Sequence, residues 1–201
     1  MVQTPSTMLP LGTPAPGFRL AEPASGRTWS LTDFQSDALV VMFICNHCPF
    51  VIHVRDEITS LARDYAPRGV DFVAINSNSA ESHPQDGPSH MAELVRELGW
   101  KFPFLFDDTQ AAAKAYHAAC TPDFYVFDGA HTLRYRGQLD DSRPSNGKPV
   151  TGTDLRAAID AVLAGKAAAS EQRPSIGCNI KWKPGNEPDY FTTFISAKKT
   201  G

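Results

Sequence analysis

The chain has no surplus of positive charge: Lys and Arg number 19 against 22 Asp and Glu, for a formal net charge of -3 and a pI near 6.0. Without a basic field, nucleic acid and anionic membrane surfaces are not expected as partners. No apolar run approaches the ~20 residues of a membrane span. The first ten residues, Met1 to Pro10, carry neither a basic cluster nor an apolar core, so no secretory leader is expected and a cytoplasmic location is. A glycine-rich phosphate cradle is also missing, as are a Ser-His-Asp arrangement and a catalytic pair of carboxylates. Asp107-Asp108 and Asp140-Asp141 are adjacent, but they fall at the ends of expected elements, where capping and solvation account for them. The six histidines show no metal-binding spacing, and no internal repeat is evident. Cysteine is scarce, with four in the chain. A zinc ribbon requires two close pairs, and Cys120 and Cys178 stand alone. No cofactor and no metal are therefore expected.

A chain of 201 residues with 42% hydrophobic and 20% charged residues suits one globular domain, or one with an elaboration. Its most informative stretch is Phe43-Ile44-Cys45-Asn46-His47-Cys48-Pro49-Phe50-Val51. Ahead of the two thiols, Leu39 to Ile44 is a continuous apolar run of the kind a buried strand has. Behind them, Val51, Val54, Ile58, Leu61 and Tyr65 recur at steps of three and four, the signature of an amphipathic helix. A thiol is nucleophilic only as thiolate, and the unpaired N–H groups at a helix start favour an anion. Cys45 is thus expected to be the attacking sulfur, with a depressed pKa, and Cys48 the resolving one. Pro49 suits the first helical turn. His47 is placed to add a charge or a hydrogen bond to the thiolate.

Along the rest of the chain, Gly17 to Leu20 and Trp29 to Leu31 predict an N-terminal hairpin. Val70 to Ile75 predicts a second buried strand, and the polar stretch Asn76 to Pro88 a long loop of the sort that borders sites. Met91, Leu94, Val95 and Leu98 predict a helix stopped by Gly99. Phe102 to Phe106 reads as a strand, followed by an alanine-rich helix reaching about Ala118 and capped by Asp108 or Thr109. Asp123 to Phe127 and Thr132 to Arg136 flank Asp128-Gly129 and predict a hairpin. A final helix capped by Thr153 carries Leu155, Ile159, Val162 and Leu163 and ends at Gly165. This order of elements predicts an α/β fold with a mixed sheet between helices. The expected division is a domain over residues 1–165 and an extension over residues 166–201. Ile176, Ile180 and Trp182 are too apolar for a free tail, so the extension is expected to pack back and bring Cys178 toward other thiols.

The apolar strand, Cys45-Asn46-His47-Cys48-Pro49 and the later Thr121-Pro122 before a strand together resemble the thioredoxin-like superfamily. The N-terminal hairpin and the tail from Pro174 to Trp182 look most like its bacterial peroxiredoxin-like (redoxin, AhpC/TSA-type) branch. The resemblance implies a thioredoxin-like fold with an N-terminal hairpin and a C-terminal extension. It also implies a cis Pro122 lying against the redox pair, with the Thr121 backbone available to a bound thiol substrate. The activity implied is thiol-disulfide exchange by Cys45 and Cys48 on protein or low-molecular-weight disulfides, with an external thiol reductant. The alternatives are a thiol peroxidase with Cys45 peroxidatic, or a non-enzymatic redox sensor. Peroxiredoxins of this kind place a threonine or serine three residues before the peroxidatic cysteine, where this chain has Met42. They also set an arginine beside the sulfur, a part for which Arg143 is the candidate. Cys120, two residues before Pro122, is either an accessory thiol, receiving a disulfide from Cys48 or pairing with Cys178, or a small buried residue. Cys178 is a second candidate accessory thiol.

Overall fold

The structure is a computed structural model, and it describes residues 3–169 and 171–191. In chain order its strands and helices are β1 (Gln3–Pro5), β2 (Arg19–Ala21), β3 (Thr28–Ser30), β4 (Ala38–Phe43), α1 (Pro49–Tyr65), β5 (Val70–Asn76), α2 (Pro88–Leu98), β6 (Phe104–Phe106), α3 (Ala111–Ala115), β7 (Cys120–Thr121), β8 (Asp123–Asp128), β9 (Leu133–Gly137), α4 (Thr153–Leu163) and β10 (Ile176–Asn179). A seven-stranded sheet runs in the order β3-β2-β6-β5-β4-β8-β9. Strands β4, β5 and β6 are parallel, while β8 runs antiparallel to β4. This is the mixed α/β sheet flanked by helices that the element order predicts, a thioredoxin-like fold.

The central strand shows why the sequence folds this way. All six residues of β4 are buried, and their side chains alternate across the sheet. Ala38, Val40 and Met42 pack with α1, α2 and α4, whereas Leu39, Val41 and Phe43 pack with α3 and with Ile180, Trp182 and Phe191 of the C-terminal segment. A continuous apolar run is what a strand covered on both faces requires. Helix α1 buries Val51, Val54, Ile58, Leu61 and Tyr65, the stripe that the three- and four-residue steps predict. No helix of the described residues is long and apolar enough to cross a membrane.

Three local expectations are corrected. The alanine-rich helix is one short turn and a half, Ala111–Ala115, with Gln110 rather than Asp108 or Thr109 as its N-cap. His117, at φ +52°, leaves the helical region, and Tyr116 is drawn into the aromatic cluster with Phe43, Tyr125 and Phe127. At α4 the cap position falls on Gly152, whose φ of +64° suits glycine; Thr153 is the first helical residue. Lastly, β1, β10 and β7 form a second, three-stranded sheet, which no alternation in these short, glycine- and proline-bearing segments announces. The described part of the extension packs through β10 and through Ile180 and Trp182; residues 192–201 lie outside the described residues.

Candidate active site

Helix α1 starts at Pro49, so the cap falls on Cys48 and not on Cys45. Proline, with no N–H to satisfy and a fixed φ, suits the first helical position. The Cys48 carbonyl then accepts from the N–H groups of Val51 and Ile52, both at 2.9 Å. Cys45 lies in the turn that joins β4 to α1. Both sulfurs converge on Thr121. Cys45 Sγ is 3.5 Å from Thr121 Oγ1, and the Cys48 thiol donates to the Thr121 carbonyl at 3.2 Å. The Thr121–Pro122 peptide is cis, as the resemblance implies. That carbonyl is held by Cys48 here, so an incoming thiol group meets an occupied acceptor.

The N–H groups that the turn offers go to a carboxylate. Asp86 Oδ1 accepts from the backbone of Asn46 at 2.9 Å and of His47 at 3.2 Å, while Oδ2 meets His47 Nδ1 at 2.5 Å and accepts from Asn78 Nδ2 at 2.8 Å. Burial opposes the Asp86 charge, but its bonds from His47 and Asn78 outweigh that cost and its pKa is lowered. A fixed anion therefore occupies the position where the sequence argument put a thiolate. The consequence corrects the expected electrostatics. Burial, then the Cys48 sulfur and the Asp86 charge, raise the Cys45 pKa rather than lowering it. The Cys48 pKa is instead lowered, first by the hydrogen bond with Cys178 and then by that with Cys45. Thiols this close titrate as a unit.

His47 is committed to Asp86 and stacks on His83, ring centroids 5.1 Å apart, rather than bonding to a sulfur. Cys45, His47 and Asp86 nonetheless offer donor atoms within 4.8 Å of one another, a sulfur, nitrogen and oxygen set suited to a borderline cation such as Zn²⁺. Arg143 spends its hydrogen bonds away from Cys45 and Cys48, although its charge acts to lower the Cys120 pKa that burial raises. Its guanidinium donates to the carbonyls of Asp140 and Ser142, both at 2.7 Å, and to Gln138 Oε1 at 2.5 Å, so it braces its own loop. Cys120 is fully buried and its nearest polar partner is the Pro122 carbonyl at 3.7 Å. In the β10–β7 register Cys178 faces Thr121, and Asn179 faces Cys120. Successive side chains on a strand alternate faces, so Cys120 and Cys178 point to opposite sides, and a disulfide between them does not fit. Among the described residues no disulfide links the four cysteines.

The sequence argument missed Asp86 and its supports. The signal was the polar run after β5. Asn76 Nδ2 donates to the Asp86 carbonyl at 2.7 Å, and Asn78 Oδ1 accepts from the Lys181 backbone at 2.8 Å, which ties the loop to the C-terminal segment. Replacing Asp86 with asparagine removes a repulsive charge from the pair. We expect thiolate absorbance of an Asp86→Asn variant to rise at lower pH than in the wild type; an unchanged titration would mean that the carboxylate does not act on the sulfurs.

Next to the cis proline, Asp123 is wholly buried, accepts from Tyr125 OH at 3.0 Å, and has its pKa raised by burial from 3.8 to about 7. Its folded value lies above its unfolded one, so the native state holds the extra proton. Its stabilising contribution is full below about pH 4 and declines until about pH 7, above which both states are ionised and the difference is constant. Asp123→Asn should therefore gain stability relative to wild type across that window, read by urea denaturation at several pH values. A difference that does not change with pH would refute the raised pKa.

The fold and this pair define a thioredoxin-like redoxin. Residues 11–136 match the AhpC/TSA family, and the chain belongs to it. Membership implies an oxidoreductase, without fixing which activity. An uncharacterized conserved protein of Geobacillus kaustophilus is 57% identical, superposes with a TM-score of 0.90, and covers 92% of this chain and 98% of its own. A hypothetical protein of Sinorhizobium meliloti 1021 is 50% identical with a TM-score of 0.89, over 90% of this chain and 100% of that one. A putative thiol:disulfide interchange protein DsbE of Chlorobium tepidum, 17% identical with a TM-score of 0.61 over 77% of this chain and 99% of its own, shares the fold. No curated protein matches this chain.

Proposed function

We propose that the protein is a thiol-disulfide oxidoreductase of the reducing cytoplasm in which Cys45 is the nucleophile and Cys48 the resolving thiol. The observation that carries this reading is the convergence of both sulfurs on Thr121 beside the cis Pro122. Domain 1–165 supplies the redoxin unit in this reading, with residues 166–201 as its extension. As a substrate disulfide approaches, the proton of Cys45 passes to the Cys48 thiolate, and Cys45 attacks the disulfide, forming a mixed disulfide and releasing the first substrate thiol. Cys48 then attacks Cys45 Sγ, releases the second thiol and leaves a Cys45–Cys48 disulfide for an external thiol to reduce. Cys45 is only 1% exposed, so capture requires the half-buried turn at Asn46 and His47 to swing outward. Substrates in this reading are protein or small disulfides. The test is a Cys48→Ser variant treated with glutathione disulfide, which should retain one glutathione on Cys45 by mass spectrometry. A variant that acquires none would overturn the assignment.

Family membership favours a second reading, a thiol peroxidase in which Cys45 becomes a sulfenic acid resolved by Cys48. Met42, buried in the sheet, stands where a hydroxyl would hold the peroxide. Sulfenate formation on mixing the reduced protein with hydrogen peroxide is therefore expected to be slow. Rapid, stoichiometric sulfenate at Cys45 would favour the peroxidase.

A further inference from the structure

A two-cysteine exchange does not need Cys178, yet the fold brings it to the pair with three separate devices. Strand β10 is inserted between β1 and β7 with Cys178 opposite Thr121. That register puts its side chain on the face of the Thr121 side chain, which is the face of Cys45. Its sulfur lies against Cys48 Sγ, at 2.7 Å. The approach depends on Gly177. Any Cβ there would run into the Thr121 carbonyl oxygen and come within 3.2 Å of Pro122 Cδ. The strand is pinned on both sides, by Ser175 Oγ donating to the Gly137 carbonyl at 2.6 Å and by the Lys181 N–H donating to Asn78 at 2.8 Å. Cys178 is also 3% exposed, so an outside disulfide reaches it less readily than Cys48 does.

We propose that Cys178 is an internal exchange thiol that takes the disulfide over from the Cys45–Cys48 pair. This rests on the reading of that pair as the redox couple. In the step, the sulfur of Cys178 attacks Cys48 Sγ. A Cys48–Cys178 bond forms, the Cys45–Cys48 bond breaks, and Cys45 leaves as thiolate and receives the proton that Cys178 gave up. One disulfide is consumed and one is made, so no outside oxidant or reductant enters. Cys45 is returned reduced while the oxidising equivalent is held inside the C-terminal strand. The external reductant must then open Cys48–Cys178, and Cys45 is ready for a second disulfide before that happens.

The test oxidises the wild type, Cys45→Ser and Cys45→Ala with diamide, quenches in acid, alkylates the remaining thiols and maps tryptic peptides. The expected wild-type product is a Cys48–Cys178 cross-link with Cys45 alkylated, and both Cys45 variants should form the same cross-link. Two Cys45 variants guard against one of them misfolding. If the wild type accumulates Cys45–Cys48 and neither variant links Cys48 to Cys178, the relay is wrong and the two-cysteine pair stands. If Cys45 is never joined to Cys48, even in a Cys178→Ser variant, the pair reading falls and the relay with it.

Discussion

A Cys45→Ser variant is expected to lose disulfide turnover by on the order of a thousandfold or more, because the step that makes the mixed disulfide has no other sulfur placed for it. Cys48 is the N-cap of α1 with its sulfur against the Thr121 carbonyl and Cys178, Cys178 is held within strand β10, and Cys120 faces away from the cluster. Serine is close in size to cysteine and its hydroxyl can keep the contact with Thr121 Oγ1, so stability should change little. The measurement is reduction of insulin disulfides by dithiothreitol, in parallel with urea unfolding. Activity within tenfold of wild type in a folded variant, read against the usual scale for loss of a nucleophile, would show that the chemistry lies elsewhere.

A large effect on stability outside the hydrophobic core is expected at Gly177. Alanine there drives a methyl group into the Thr121 carbonyl and against Pro122, so β10 must move away from β7. Overpacking of this kind costs about 1–3 kcal/mol, sometimes more. The loss should come with slower formation of any Cys48–Cys178 link, since the same displacement draws Cys178 from Cys48. A Gly177→Ala variant that unfolds at the wild-type urea concentration would mean that the close approach of β10 is not a feature of the folded protein.

How far the sequence alone reaches is visible in these same residues. Strand β4, helix α1, strand β5, helix α2, the β8–β9 hairpin and helix α4 all follow from periodicity, because each buries an unbroken run or a regular stripe. The pair proposed as the redox couple is singled out by two thiols at the junction of a strand and a helix. What periodicity could not locate were features created by contacts far apart in the chain. The three-stranded sheet joins Gln3, Cys178 and Thr121, and a strand of two to four residues has too few positions to display a pattern. Asp86 is invisible for a related reason. In sequence it is one acidic residue in a polar loop, and only the fold sets it across the turn that holds Cys45, where it accepts from the Asn46 N–H 40 residues before it in the chain. Burial first, then the Cys48 sulfur and this carboxylate, reversed the expected pKa of Cys45. The helix start attracts negative charge, as expected, but the Asp86 carboxylate already takes the turn's N–H groups, and the cap falls on Cys48.

The central claim is that the thiols gathered at Thr121 form a reversible two-electron couple. Equilibrating the wild type across a series of reduced to oxidised dithiothreitol ratios and counting thiols tests it most directly. The account predicts a single transition in which two of the four thiols disappear and return on re-reduction, with Cys120 alkylated throughout. Four thiols persisting in excess oxidised dithiothreitol, or a disulfide that engages Cys120, would contradict it.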